Sequence, residues 1–115
     1  MEILRLLEDC PFVKSYEVLE HKTWQNGSYI KLNVLFKDNS TLYIREYISP
    51  DERFYSFHWQ DKMKELICRW DNSIHHKKII TFPHHKHVGK ETMPSREITL
   101  EEILESIVSK IKMSK

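Results

Sequence analysis

Glycine is nearly absent: the 115 residues include two, which implies few tight left-handed turns. Cysteine is as scarce. Cys10 and Cys68 stand far apart and outside any CxxC pattern, so neither a disulfide framework nor a cysteine-rich zinc site is expected. No apolar run approaches the ~20 residues of a membrane span. Met1–Cys10 carries acids and lacks the apolar stretch of a signal peptide. A soluble, cytoplasmic protein without membrane contact is the expectation. A charge of one sign is also missing. The formal net charge of +1 does not declare a nucleic-acid binder, although a local basic stripe can act without a high pI. Hydrophobic residues at 40% and charged residues at 30% argue for a folded chain. The length suits a single domain, 1–115, with one modest core.

The apolar pattern predicts an α+β fold. Ile3, Leu4 and Leu7 share one face of a short N-terminal helix that Pro11 stops. A strand is expected from about Ser15 to Trp24. Residues 29–37 alternate, with Ile30, Leu32, Val34 and Phe36 on one side and Lys31, Asn33 and Lys37 on the other. The turn cluster Asp38-Asn39-Ser40 leads into a strand at 41–48, and Ser49-Pro50-Asp51-Glu52 turns the chain again. Two further strands follow at 53–61 and 65–71. Their order is that of a meander, so an antiparallel sheet of four to six strands is expected. Near the C-terminus, Leu100, Ile103, Leu104, Ile107, Val108 and Ile111 make a helical stripe. Thr99 and Glu102 form a capping box, and Ile98 and Ile103 a hydrophobic staple. This amphipathic helix should cover one face of the sheet.

Several residues carry chemistry. Glu46 has the parity of Leu42, Ile44 and Ile48 and should point to the apolar side, where a carboxylate lies at an edge or needs a partner. It is either half of a structural ion pair, with Arg69 for example, or a site carboxylate of raised pKa. His58, between Phe57 and Trp59, reads first as a packed histidine. Arg69 and Asp71 are two apart and share a strand face, and Arg69 suits bidentate contact with phosphate.

The densest chemistry lies in 75–90, which holds five of the seven histidines, four lysines and no carboxylate. A solvated basic loop is the default for such a run. A metal site is the second reading: His85-x-His87-x-x-x-Glu91 has ligand spacing seen in cupins. However, Ile79 stands where that pattern wants glycine and its second motif is missing. His85 and His87 remain fallback ligands for Zn²⁺ or Ni²⁺. The third reading is metal-free RNA cleavage. A base takes the 2′-OH proton, an acid protonates the leaving 5′-oxygen, and a cation stabilises the pentacovalent phosphate. RNA brings its own nucleophile, so a small protein suffices.

Tyr55-Ser56-Phe57-His58-Trp59-Gln60, Arg69-Trp70-Asp71-Asn72, His75-His76, Phe82-Pro83-His84-His85-Lys86-His87 and Pro94-Ser95, in that order before the final helix, resemble the TumE family. Where that family often has Ala-Pro after the RWDN motif, Ser73-Ile74 stands here. The resemblance implies the toxin of a type II toxin–antitoxin pair. It also implies a cognate antitoxin partner, often with a helix-turn-helix domain, and growth inhibition with RNA cleavage as the usual expectation. The combined expectation is a metal-independent endoribonuclease that needs no cofactor. His85 and His87 would transfer protons, with His58 or Glu46 as an alternative base. Arg69 and Lys86 would hold the phosphate, and Asp71 would orient a histidine or Arg69. His84, His76 and Lys77 would extend RNA binding, and a homodimer is compatible with this reading. The competing expectations are a non-catalytic module that grips RNA or the ribosome, and a metal-dependent enzyme built on His85 and His87.

Overall fold

The computed structural model describes residues 2–72, 85–89, 91–94 and 97–113, with the backbone alone at 85 and 92–94. The elements are α1 (Glu2–Glu8), β1 (Val13–Trp24), β2 (Gly27–Phe36), β3 (Thr41–Ile48), β4 (Arg53–Gln60), β5 (Leu66–Asp71), β6 (His85–Val88), β7 (Glu91–Pro94) and α2 (Leu100–Met113). The strands make one antiparallel sheet whose spatial order is the chain order. This is the expected α+β architecture. The basic segment contributes part of it: β6 and β7 pair around Gly89, whose φ of 60° turns the chain, and bring the strand count to seven. Four-residue strands such as these, one built on His85, Lys86 and His87 and the other on Glu91 to Pro94, carry too little apolar pattern to announce themselves.

Strand alternation sorts the sheet into two faces. On one face Leu32, Ile44, Phe57 and Trp70 lie in one row across β2 to β5, and Val34, Leu42, Trp59 and Cys68 in the next. These side chains are buried, and the stripe of α2 (Leu100, Ile103, Leu104, Ile107 and Ile111) joins them in a single core with Leu7 of α1. The start of α2 follows its sequence signals. Thr99 Oγ1 accepts from the Glu102 N–H (3.3 Å), and the Glu102 carboxylate accepts from the Thr99 N–H (3.2 Å). Ile98 is half-buried against the same core. Because α2 covers this face, the other face of β2 to β5 carries polar side chains such as Lys31, Arg45, His58 and Arg69, with the exposed aromatics Tyr43 and Phe54 among them.

The turns manage without glycine at two points. Asn39 (φ 69°) takes the left-handed position between β2 and β3, where the Asp38 carboxylate accepts from the Ser40 N–H at 2.9 Å. Lys64 (φ 67°) does so between β4 and β5, where the Asp61 carboxylate accepts from the N–H groups of Met63 and Glu65. Asn72 ends β5 by imitating a strand residue. Its side-chain oxygen accepts from the Tyr55 N–H at 2.9 Å and its amide donates to the Arg53 carbonyl. Both cysteines are free.

Candidate active site

The antiparallel register brings the chemistry together on the face away from α2. Tyr43, His58, Arg69 and His87 are consecutive partners across β3, β4, β5 and β6. Directly opposed side chains have Cβ atoms about 5 Å apart. Arg69 is therefore flanked by His58 on one side and His87 on the other. One row along, Lys31, Arg45, Ser56 and Asp71 are consecutive partners, and the backbone of His85 opposes Asp71.

Asp71 is 4% exposed and anchors the cluster. Its Oδ2 accepts from Arg69 Nε at 3.0 Å and lies 3.7 Å from His87 Nε2. The guanidinium thus has a fixed orientation, and a protonated His87 finds a counter-ion. Arg69 also reaches across to His58, with Nη1 and Nδ1 3.4 Å apart. A guanidinium has only donors, so Nδ1 of His58 is the acceptor and the ring is neutral in this arrangement. Burial, and then the Arg69 charge, pull the His58 pKa below its ordinary value, while a hydrogen bond with Gln60 works the other way. His58 therefore keeps a basic lone pair at neutral pH, next to a cation suited to phosphate.

Two concavities join on this face. One, of about 370 Å³, is lined by residues that include Lys31, Tyr43, His58 and Arg69. The other, of about 330 Å³, is lined by residues that include Tyr29, Tyr47, Phe54 and Asp71. Arg45, Ser56 and Arg69 belong to both. Among the described residues Arg45 makes no hydrogen bond or ion pair, and it is exposed.

The expected site residues divide by face. His58, Arg69, Asp71 and His87 come together. Glu46 lies on the α2 side, paired in the ladder with Tyr55. There its carboxylate accepts from Arg53 at 2.7 Å, Arg53 also holds Glu97 at 3.1 Å, and its guanidinium stacks 4.3 Å over the Tyr55 ring. Glu46 is thus half of a structural ion pair whose partner is Arg53, not Arg69. Lys86 opposes Trp70, so its side chain emerges on the α2 side, away from His87. The side chain of His85 and all of His76, Lys77 and His84 lie outside the described residues. Among the described residues no cluster of three His, Cys, Asp or Glu is placed to hold a metal ion, and no helix is long and apolar enough to cross a membrane.

Sequence reasoning missed Arg45, Ser56, Tyr43 and Lys31. Each shares the parity of His58 or its register partners, so strand alternation combined with the hairpin turns was the available signal.

No curated protein matches the chain, and no solved structure does. The family model described as Toxin TumE matches residues 3–112, which takes in every strand of the sheet and all but the outermost residue of each helix. With the match spanning nearly the whole length, the chain belongs to the TumE toxin family.

Proposed function

We propose that this toxin is a metal-independent endoribonuclease centred on the row His58–Arg69–His87, and that it works as one half of a type II toxin–antitoxin pair. The observation that carries the reading is the arrangement itself: a neutral imidazole and a second imidazole flank a guanidinium on an open face. A phosphodiester seated on Arg69 turns opposite sides to the two rings, as in-line displacement requires. As the phosphate draws the Arg69 guanidinium off His58 Nδ1, that nitrogen is freed to take the proton of the 2′-OH, and the 2′-oxygen attacks phosphorus. Arg69 and Arg45 stabilise the charge of the pentacovalent phosphate. Protonated His87, beside Asp71, gives its proton to the departing 5′-oxygen. The products are a 2′,3′-cyclic phosphate and a 5′-hydroxyl. Asp71 holds both Arg69 and His87 in position. His85, opposite Asp71 in the ladder, is the alternative proton donor.

The reading has a direct test. Purified protein is incubated with a defined RNA in EDTA and with added divalent metals, and the product ends are mapped. Cleavage in EDTA that leaves 2′,3′-cyclic phosphate is the expected result. Cleavage that needs metal moves the chemistry elsewhere, and intact RNA beside growth inhibition in cells leaves a toxin that binds its target without cutting it. Pairing is tested by co-expressing the neighbouring open reading frame: it should relieve toxicity and co-purify with the chain.

A further inference from the structure

The open face carries a second feature that the catalytic row does not use. Trp24, Tyr47 and Phe54 form an aromatic strip across β1, β3 and β4, with ring centroids 5.6 Å apart for Trp24–Tyr47 and 5.9 Å for Tyr47–Phe54. Trp24 is 44% exposed and Phe54 is 47% exposed, so the strip faces solvent. It is also held in place. A Cβ at Gly27 would lie 2.7 Å from the Trp24 indole nitrogen and 2.5 Å from the Ile48 carbonyl. Glycine there lets the indole lie flat on the β1–β2 hairpin. Tyr47 and Phe54 wall the 330 Å³ concavity whose other wall is Arg45 and Arg69. Aromatic faces beside the exposed Arg45, which has no partner among the described residues, and next to Arg69 complement a base and its phosphate. The nearby open-face acids already have cations: Asp71 has Arg69, and Glu20 has Lys22 at 3.0 Å.

We infer that the Trp24–Tyr47–Phe54 strip is a nucleobase-stacking subsite, which makes single-stranded RNA the substrate class of the site. This rests on the ribonuclease reading and adds to it. Phe54 is four residues from His58 along β4, about 13 Å. A nucleotide stacked on the strip thus lies close along the same strand as the phosphate on Arg69, with Arg45 bridging the two. Duplex bases cannot reach the rings, because their faces are already stacked.

Trp24 reports on its own occupancy, since Trp59 and Trp70 are 2% and 4% exposed and lie in the core. The experiment titrates the full-length protein with a short single-stranded 2′-O-methyl oligonucleotide, and with the same sequence as a duplex, following tryptophan emission. The oligonucleotide lacks the 2′-OH, so it reads binding alone, and cleavage of ordinary RNA is measured beside it. Emission should fall with the single strand and not with the duplex, and Trp24→Phe should abolish the quench. Phe54→Ala should weaken binding roughly tenfold, and Phe54→Trp should restore it. A quench without cleavage of ordinary RNA keeps the stacking subsite and removes the ribonuclease. Cleavage with unchanged oligonucleotide affinity in Phe54→Ala removes the subsite and keeps the ribonuclease. A quench that grows with protein concentration alone identifies a second copy as the occupant and overturns the inference, as does equal binding of the duplex.

Discussion

Ile107→Ala tests the division of the sheet into a covered and an open face. Ile107 is 0% exposed, at the centre of the α2 stripe. The substitution removes three carbons, which at about 0.8 kcal/mol each loses about 2.4 kcal/mol of transfer free energy. A residual cavity of roughly 50 Å³ adds about 1 kcal/mol at the T4 lysozyme slope of about 24 cal/mol per Å³. The expected loss is therefore about 3–4 kcal/mol, or a fall in Tm of roughly 10–20 °C for a domain of this size. Urea titration of the variant and the wild type, with m unchanged, measures it. A loss under about 1 kcal/mol, well below the roughly 2–5 kcal/mol of a buried Ile→Ala change, would mean that α2 is not seated on the row Leu32–Ile44–Phe57–Trp70. The face assigned to RNA would then lose its basis.

Further outcomes follow from the polar contacts. Asn72→Ala strips the partners from the Tyr55 N–H and the Arg53 carbonyl and should cost roughly 2–3 kcal/mol in urea; a neutral change would show that water replaces the amide. Glu102→Ala removes half of the capping box and should cost well under ~2 kcal/mol by the same measurement. The His58 pKa is lowered in the fold. The stability that its neutral form contributes is whole above the unfolded value of about 6.5 and is lost as pH falls through the folded value. An NMR titration of His58 should have its midpoint below that of a free imidazole. Arg69→Met should raise the midpoint without restoring it, because burial is the larger cause, and a midpoint above 6.5 in the wild type would refute the buried, Arg69-facing environment given to His58.

The fold was legible wherever one face of an element is buried. The alternation of Ile30, Leu32, Val34 and Phe36, the turn at 38–40, the capping box and the α2 stripe all appear where the pattern puts them. The site was legible only in part. The motifs named His58, Arg69, Asp71 and His87, but their assembly depends on register, which joins β4, β5 and β6 through pairings that no local pattern states. Lys86 shows the cost: adjacent to His87 in sequence, it stands on the other face because the side-chain period of a strand is two. Glu46 was ambiguous for the reverse reason, since its parity was clear while its partner Arg53 sits across the next turn.

The most direct test of the account is the rate of RNA cleavage by His58→Ala, His87→Ala and Lys86→Ala, each confirmed as folded by its urea midpoint. Loss of a proton-transfer group should lower kcat by about 10²–10⁴. Both histidine variants should fall in that range, while Lys86→Ala, on the α2 side of β6, should stay close to wild type. Histidine variants that cleave normally, or a Lys86→Ala variant as impaired as His87→Ala, would contradict a catalytic row on the open face.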